Sequence, residues 1–90
     1  MKYSLEIKSS LDKIFSKLDK FYLRSISNKV EDICSNPFKK YKFLRKPLNG
    51  FNRVHLNKHF VLIFRIDHFH QSVTLFHYAH HDEVYFWRSK

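Results

Sequence analysis

Residues 51–66 read FNRVHLNKHFVLIFRI, and their period of two decides the fold. Apolar and polar side chains alternate over 51–56, the pattern of a half-buried strand. Asn57-Lys58 supplies a turn. Residues 59–66 are the most apolar stretch and contain the longest apolar run, 60–64, as expected of a strand central in its sheet. The same period continues over 73–78, with Val73, Leu75 and His77 opposite Thr74, Phe76 and Tyr78. Between these runs, DHFHQS (67–72) reads as a polar hairpin loop. AHHDE (79–83) reads as a connection, and 84–87 as a last short strand.

The first half changes period. KYSLEI (2–7) puts Tyr3, Leu5 and Ile7 on one side of a strand. Ser9 or Ser10 is placed to cap a helix. Leu11, Ile14, Phe15, Leu18, Phe21 and Tyr22 recur at helical spacing, and Ile26, Val30 and Ile33 form a second helical set. A break is expected within 23–28, where serines and Asn28 lower helix propensity, with Ser27 or Asn28 capping the second helix. Asn36-Pro37 ends that helix. PFKKYKFLRKPLNG (37–50) is a basic, aromatic connector bounded by Pro47 and Asn49-Gly50. The order β-α-α-β-β-β-β predicts one domain over 1–90: an α+β fold with two layers, two N-terminal helices packed on a mostly antiparallel sheet of four to five strands.

A formal net charge of +9 in 90 residues points to an anionic partner: a polyanion, an anionic membrane surface or an acidic protein. Residues 1–50 hold 12 Lys/Arg against 5 Asp/Glu. Lys39, Lys40, Lys42, Arg45 and Lys46 interleave with Phe38, Tyr41 and Phe43. That pattern suits a nucleic-acid backbone with stacked bases, and suits a packing loop about as well. The N-terminus has no apolar run of the signal-peptide kind, and the run 60–64 is too short to span a bilayer, so a soluble cytoplasmic protein without a membrane role is expected. The one cysteine, Cys34, excludes an intramolecular disulfide and reads as a small buried hydrophobe.

All seven histidines fall between His55 and His81. Imidazole is the side chain most readily poised for proton transfer near neutral pH. RNA can be cut without metal, by two or three imidazoles with a Lys or Arg nearby. A base takes the 2′-OH proton, the 2′-oxygen attacks phosphorus, an acid protonates the leaving 5′-oxygen, and a nearby cation steadies the added charge. The four-residue spacing of His55 and His59 crosses a turn, so it does not make one helical ligand face. His80-His81-Asp82-Glu83 carries ligand types without an HExxH pattern or a cysteine set, and no metal or other cofactor is expected. Alternation puts Arg53 and His55 on one face. His80 is expected to point away from His81. His68 and His70 are expected in solvent, and Trp87 as a packing ring.

Residues 47–85 resemble the RelE/ParE superfamily of toxins from type II toxin–antitoxin pairs, in particular the YafQ-like ribosome-dependent mRNA interferases. That branch has a Gly-containing loop, a strand ending in His, an acid four residues on, and an aromatic opening the next strand. LNGFNRVHLNKHFVLIFRI (48–66) matches it. His55 falls on the family's catalytic histidine, His59 on its aspartate and Phe60 on its tryptophan. The family's later Arg, His and aromatic, each four apart, fall on His77, His81 and Tyr85 in HYAHHDEVY (77–85). The resemblance implies an endoribonuclease that cleaves mRNA on the ribosome without metal, and a cognate antitoxin with an acidic wrapping segment. It implies catalytic roles for His55, His59, His77 and His81, and substrate contacts for Phe60 and Tyr85. Lys39, Lys40, Lys42, Arg53 and Lys58 are the cations placed to meet RNA. Imidazole replaces a carboxylate at 59 and a guanidinium at 77. At 77 the five-donor fork is lost. A ParE-like gyrase-inhibiting toxin and a non-catalytic basic RNA- or ribosome-binding module are the other readings.

Overall fold

A computed structural model of the chain describes residues 2–46 and 48–88. Pro47, read as one bound of the basic connector, lies outside the described residues. The elements run β1 (Ser4–Ile7), α1 (Leu11–Ser16), α2 (Lys20–Ser35), β2 (Lys42–Phe43), β3 (Asn52–Leu56), β4 (Phe60–Asp67) and β5 (Ser72–His80), followed by a 3₁₀ turn, Val84–Phe86. The five strands form one sheet in the order β1-β5-β4-β3-β2. β1 runs parallel to β5, and every other pair is antiparallel. The helices pack on one face, so the expected two-layer α+β fold is the observed one.

β4 is the centre of the molecule because it is buried on both sides. Leu62 and Phe64 join Leu11, Ile26, Val30, Ile33, Val73, Leu75 and Tyr78 under the helices. Val61 and Ile63 face the other way and pack with Leu44, Leu48, Phe51 and Val84. This second cluster, closed by Leu44, Leu48 and Phe51 and by the 3₁₀ turn, explains why 61–64 is apolar without alternation. Arg65 stays exposed, its guanidinium 4.9 Å from the centre of the Phe51 ring.

Four local expectations are corrected. The helix break falls at 17–19, not within 23–28: α1 ends at Ser16, and Asp19 takes an extended conformation before α2. The few tenths of a kcal/mol by which serine and asparagine disfavour a helix are outweighed by burying Ile26, Val30, Ile33 and Cys34 along one face. The basic connector contributes the short edge strand β2. The segment expected as a last strand is the 3₁₀ turn, which drops Val84 into the second cluster. Finally, the register of β5 slips against β4: Ile63 pairs with His77, but Phe64 pairs with Leu75. The extra residue, Phe76, is a bulge, and it reverses the alternation beyond it. Tyr78 therefore faces the helices with Val73 and Leu75, while His77, expected on that side, turns to the other.

Candidate active site

The β3–β4 hairpin sets the first part of the site. Its turn, Asn57, Lys58 and His59, has Asn57 and Lys58 in the left-handed region, with φ of 54° and 70°. Asparagine tolerates that conformation, whereas lysine adopts it at a cost. Ser25 Oγ donates to Asn57 Oδ1 at 3.1 Å and ties the turn to α2. His55 is the next-to-last residue of β3, with its Nδ1 3.5 Å from Arg53 Nη1, so these two do share a face. Lys42 on the edge strand pairs in register with Arg53. Burial lowers the His55 pKa below its ordinary value, and the Arg53, Lys42 and His81 charges lower it further.

β5 delivers the second part. Its end is pinned to the hairpin by the His81 N–H, which donates to the His59 carbonyl at 2.8 Å. The His59 and His81 ring centres lie 6.1 Å apart. His80 does not point away from His81, because the chain leaves the strand there and turns. Their rings stack with centres 4.5 Å apart, and His59 stacks on His80 at 5.9 Å. Asp82 then folds back: its Oδ1 lies 3.0 Å from His81 Nδ1. The carboxylate thus sits at the Nδ1 side of the ring, and Nε2 is the nitrogen left for other partners. His80 and Asp82 are therefore the members of the cluster that sequence reasoning missed. The signal available was the string HHD at a strand end, where a turn rather than alternation sets direction.

The other candidates are dispersed. His77 lies flat against Trp87, with ring centres 5.8 Å apart, and burial lowers its pKa so that it favours the neutral ring. Phe60 stacks on Tyr78 at 5.2 Å and meets Tyr22 edge-on, as a packing residue between hairpin and helix. Tyr85 is exposed and lines a groove with Arg45, Lys46, Arg53 and Arg88. Lys58 is exposed at the hairpin turn. Lys39 and Lys40 line a separate groove with Phe38, Arg65 and His68, toward the other end of β4. His68 and His70 are exposed as expected, yet both are engaged: His68 Nδ1 is 2.8 Å from Tyr3 Oη, and His70 Nδ1 is 2.7 Å from Asp67.

Two helices on a five-stranded mixed sheet, with imidazoles at one end of the central strands and a cationic groove beside them, define a small basic two-layer α+β protein. No family model matches the chain. A protein of Methanocaldococcus jannaschii bearing the toxin name RelE4 is 48% identical over 86 residues, which cover 92% of this chain and 90% of that protein. The chain belongs to the RelE/ParE superfamily of type II toxin–antitoxin toxins. Among solved structures, the toxin–antitoxin complex RelBE2 of Mycobacterium tuberculosis superposes with a TM-score of 0.77 at 22% identity, covering 89% of this chain and 99% of that one. A variant of E. coli toxin RelE, in complex with a peptide of antitoxin RelBc, superposes with a TM-score of 0.75 at 19% identity, covering 100% and 97%. Both share the fold. Among the described residues, no helix is long and apolar enough to cross a membrane.

Proposed function

We propose that this toxin is a ribosome-dependent endoribonuclease, an mRNA interferase of the YafQ-like kind, cleaving by metal-independent acid/base chemistry. The observation that carries the reading is the pinned pair His59–His81 backed by Asp82, with His55 and Arg53 beside it. His81 Nε2, freed by the carboxylate at Nδ1, is the main proton-transfer group, and His59 and His55 assist. The 2′-oxygen forms a bond to phosphorus, the bond to the 5′-oxygen breaks, and one proton leaves the 2′-OH while another reaches the 5′-oxygen. The products are a 2′,3′-cyclic phosphate and a 5′-hydroxyl. Arg53 is the nearby cation for the phosphorane charge, a part that the half-buried His77 is ill suited to play. Tyr85 and the cations of its groove receive the strand. The likeness to toxins solved with their antitoxins supports a cognate antitoxin whose acidic segment covers the basic face.

The test is a purified translation reaction with mapped mRNA ends. Discrete cuts that require the ribosome, with cyclic-phosphate termini, are expected. Inhibition of DNA supercoiling without mRNA cuts would overturn the reading in favour of a gyrase-directed toxin.

A further inference from the structure

His59, His80 and His81 each present a ring nitrogen within 4.8 Å of the other two. Packing does not account for them, since His59 is exposed and the other two are half-exposed. Their backbones come from two separate segments and are fixed by the bond from His81 N–H to the His59 carbonyl. Ligands on a tetrahedral ion at about 2.0–2.1 Å sit roughly 3.4 Å apart, so rotation of accessible rings closes the remaining gap.

Asp82 completes the arrangement. Its carboxylate oxygens lie 3.0 Å from His81 Nδ1 and 3.5 Å from His80 Nδ1. A carboxylate that accepts a hydrogen bond from Nδ1–H orients the ring and makes Nε2 a better ligand. His80 Nδ1 also meets the Asp82 amide N–H at 3.2 Å, and coordination through Nε2 would exchange that contact for the carboxylate. The donor set is all imidazole. It offers hard cations such as Mg²⁺ no oxygen cage, and it suits Zn²⁺, Ni²⁺ or Cu²⁺.

We propose that His59, His80 and His81 form a binding site for a borderline divalent transition metal of the zinc class, with Asp82 behind the ligands and a fourth position open to water. An ion there occupies the lone pairs of His59 and His81, so the loaded toxin is held inactive. The binding stands on geometry alone; only its effect on cleavage rests on the function proposed above.

The experiment titrates Zn²⁺ into the chelator-stripped full chain by calorimetry in a non-coordinating buffer, with Co²⁺ absorption as a report on the ligands. One equivalent is expected, with Co²⁺ bands of a four- or five-coordinate nitrogen site. Both should vanish in His80→Ala and persist in His70→Ala, with circular dichroism confirming the fold. Should His80→Ala not fold, His80→Gln serves. Asp82→Asn should weaken Zn²⁺ about 10- to 100-fold, the effect expected of a group that orients a ligand. No stoichiometric binding, or binding unchanged in the folded His80 variant, overturns the site. Zn²⁺ that binds as expected to a protein that makes no mRNA cuts would leave the site intact and sink the nuclease reading instead.

Discussion

The amide of His81 and the carbonyl of His59 are joined by a 2.8 Å hydrogen bond, and this bond holds the end of β5 against the β3–β4 turn. It involves no side chain. The imidazoles at 59 and 81 can therefore be removed without releasing the backbone that gathers the cluster, so substitutions here report chemistry rather than collapse.

His81→Ala should lower single-turnover cleavage on programmed ribosomes by roughly 10²-fold or more, the usual loss for a general acid or base. Ribosome affinity should change little, because the loss lies in the transition state. His68→Ala, at the other end of the sheet, should be nearly silent. Wild-type cleavage by a folded His81→Ala protein would remove His81 from its role.

Cleavage should survive EDTA when Mg²⁺ is resupplied to keep ribosomes intact. In the proposed mechanism the imidazole and guanidinium groups supply proton transfer and charge stabilisation without an ion. A requirement for added Zn²⁺ would contradict both the acid/base mechanism and the inhibitory role of the histidine site.

Charge reversal at Lys39, Lys40 and Lys42 together should weaken ribosome or RNA binding and flatten its salt dependence, similarly for all RNA sequences. Lys42→Glu should account for the larger share, since Lys42 pairs in register with Arg53 while Lys39 and Lys40 line the separate groove. A salt slope unchanged by the triple reversal would move the binding surface elsewhere.

The half-buried His77 should make the fold acid-sensitive. Its pKa is lowered in the folded state, so the unfolded chain binds the proton more readily. That stability is present above the unfolded value of about 6.5 and is lost as pH falls through the folded value. The drop in Tm between pH 7.5 and 5.5 should be smaller in His77→Phe, which keeps a ring against Trp87. Equal drops in the two proteins would show that His77 carries none of the sensitivity.

Lys58→Gly should stabilise the fold by about 1 kcal/mol, because glycine adopts the left-handed conformation without the Cβ penalty. It should also weaken RNA binding through the lost cation. Denaturant unfolding and a filter-binding assay would measure the two effects, and a less stable glycine variant would contradict the strain assigned to the turn.

The strands of the second half were legible because burial imposes a period. The run 61–64 reads correctly as central, and Arg53 and His55 fall on one face as alternation requires. The bulge at Phe76 was not legible. One unpaired residue in β5 is set by the fit between two strands, and it turned His77 to the opposite side. The helix break was misplaced for a related reason: the propensities of Ser25, Ser27 and Asn28 are local, while the burial of Ile26 and Val30 is a tertiary fact. At the site, His55, His59 and His81 were named from the family resemblance, and the fold brings the rings of His59 and His81 within 6.1 Å of each other. The stacking of His80 on His81 and the return of Asp82 depend on a chain that turns where alternation assumes it continues.

The parallel pairing of β1 with β5 has a kinetic consequence. Leu5 and Ile7 register against Val73 and Leu75, so β1 has no ladder until residues far along the chain have been synthesised. Contacts of such long sequence separation form slowly. The cluster at 80–82 begins at the last residue of the same strand and is assembled as β5 docks. On the proposed assignment, the site is therefore incomplete during synthesis until β5 has emerged.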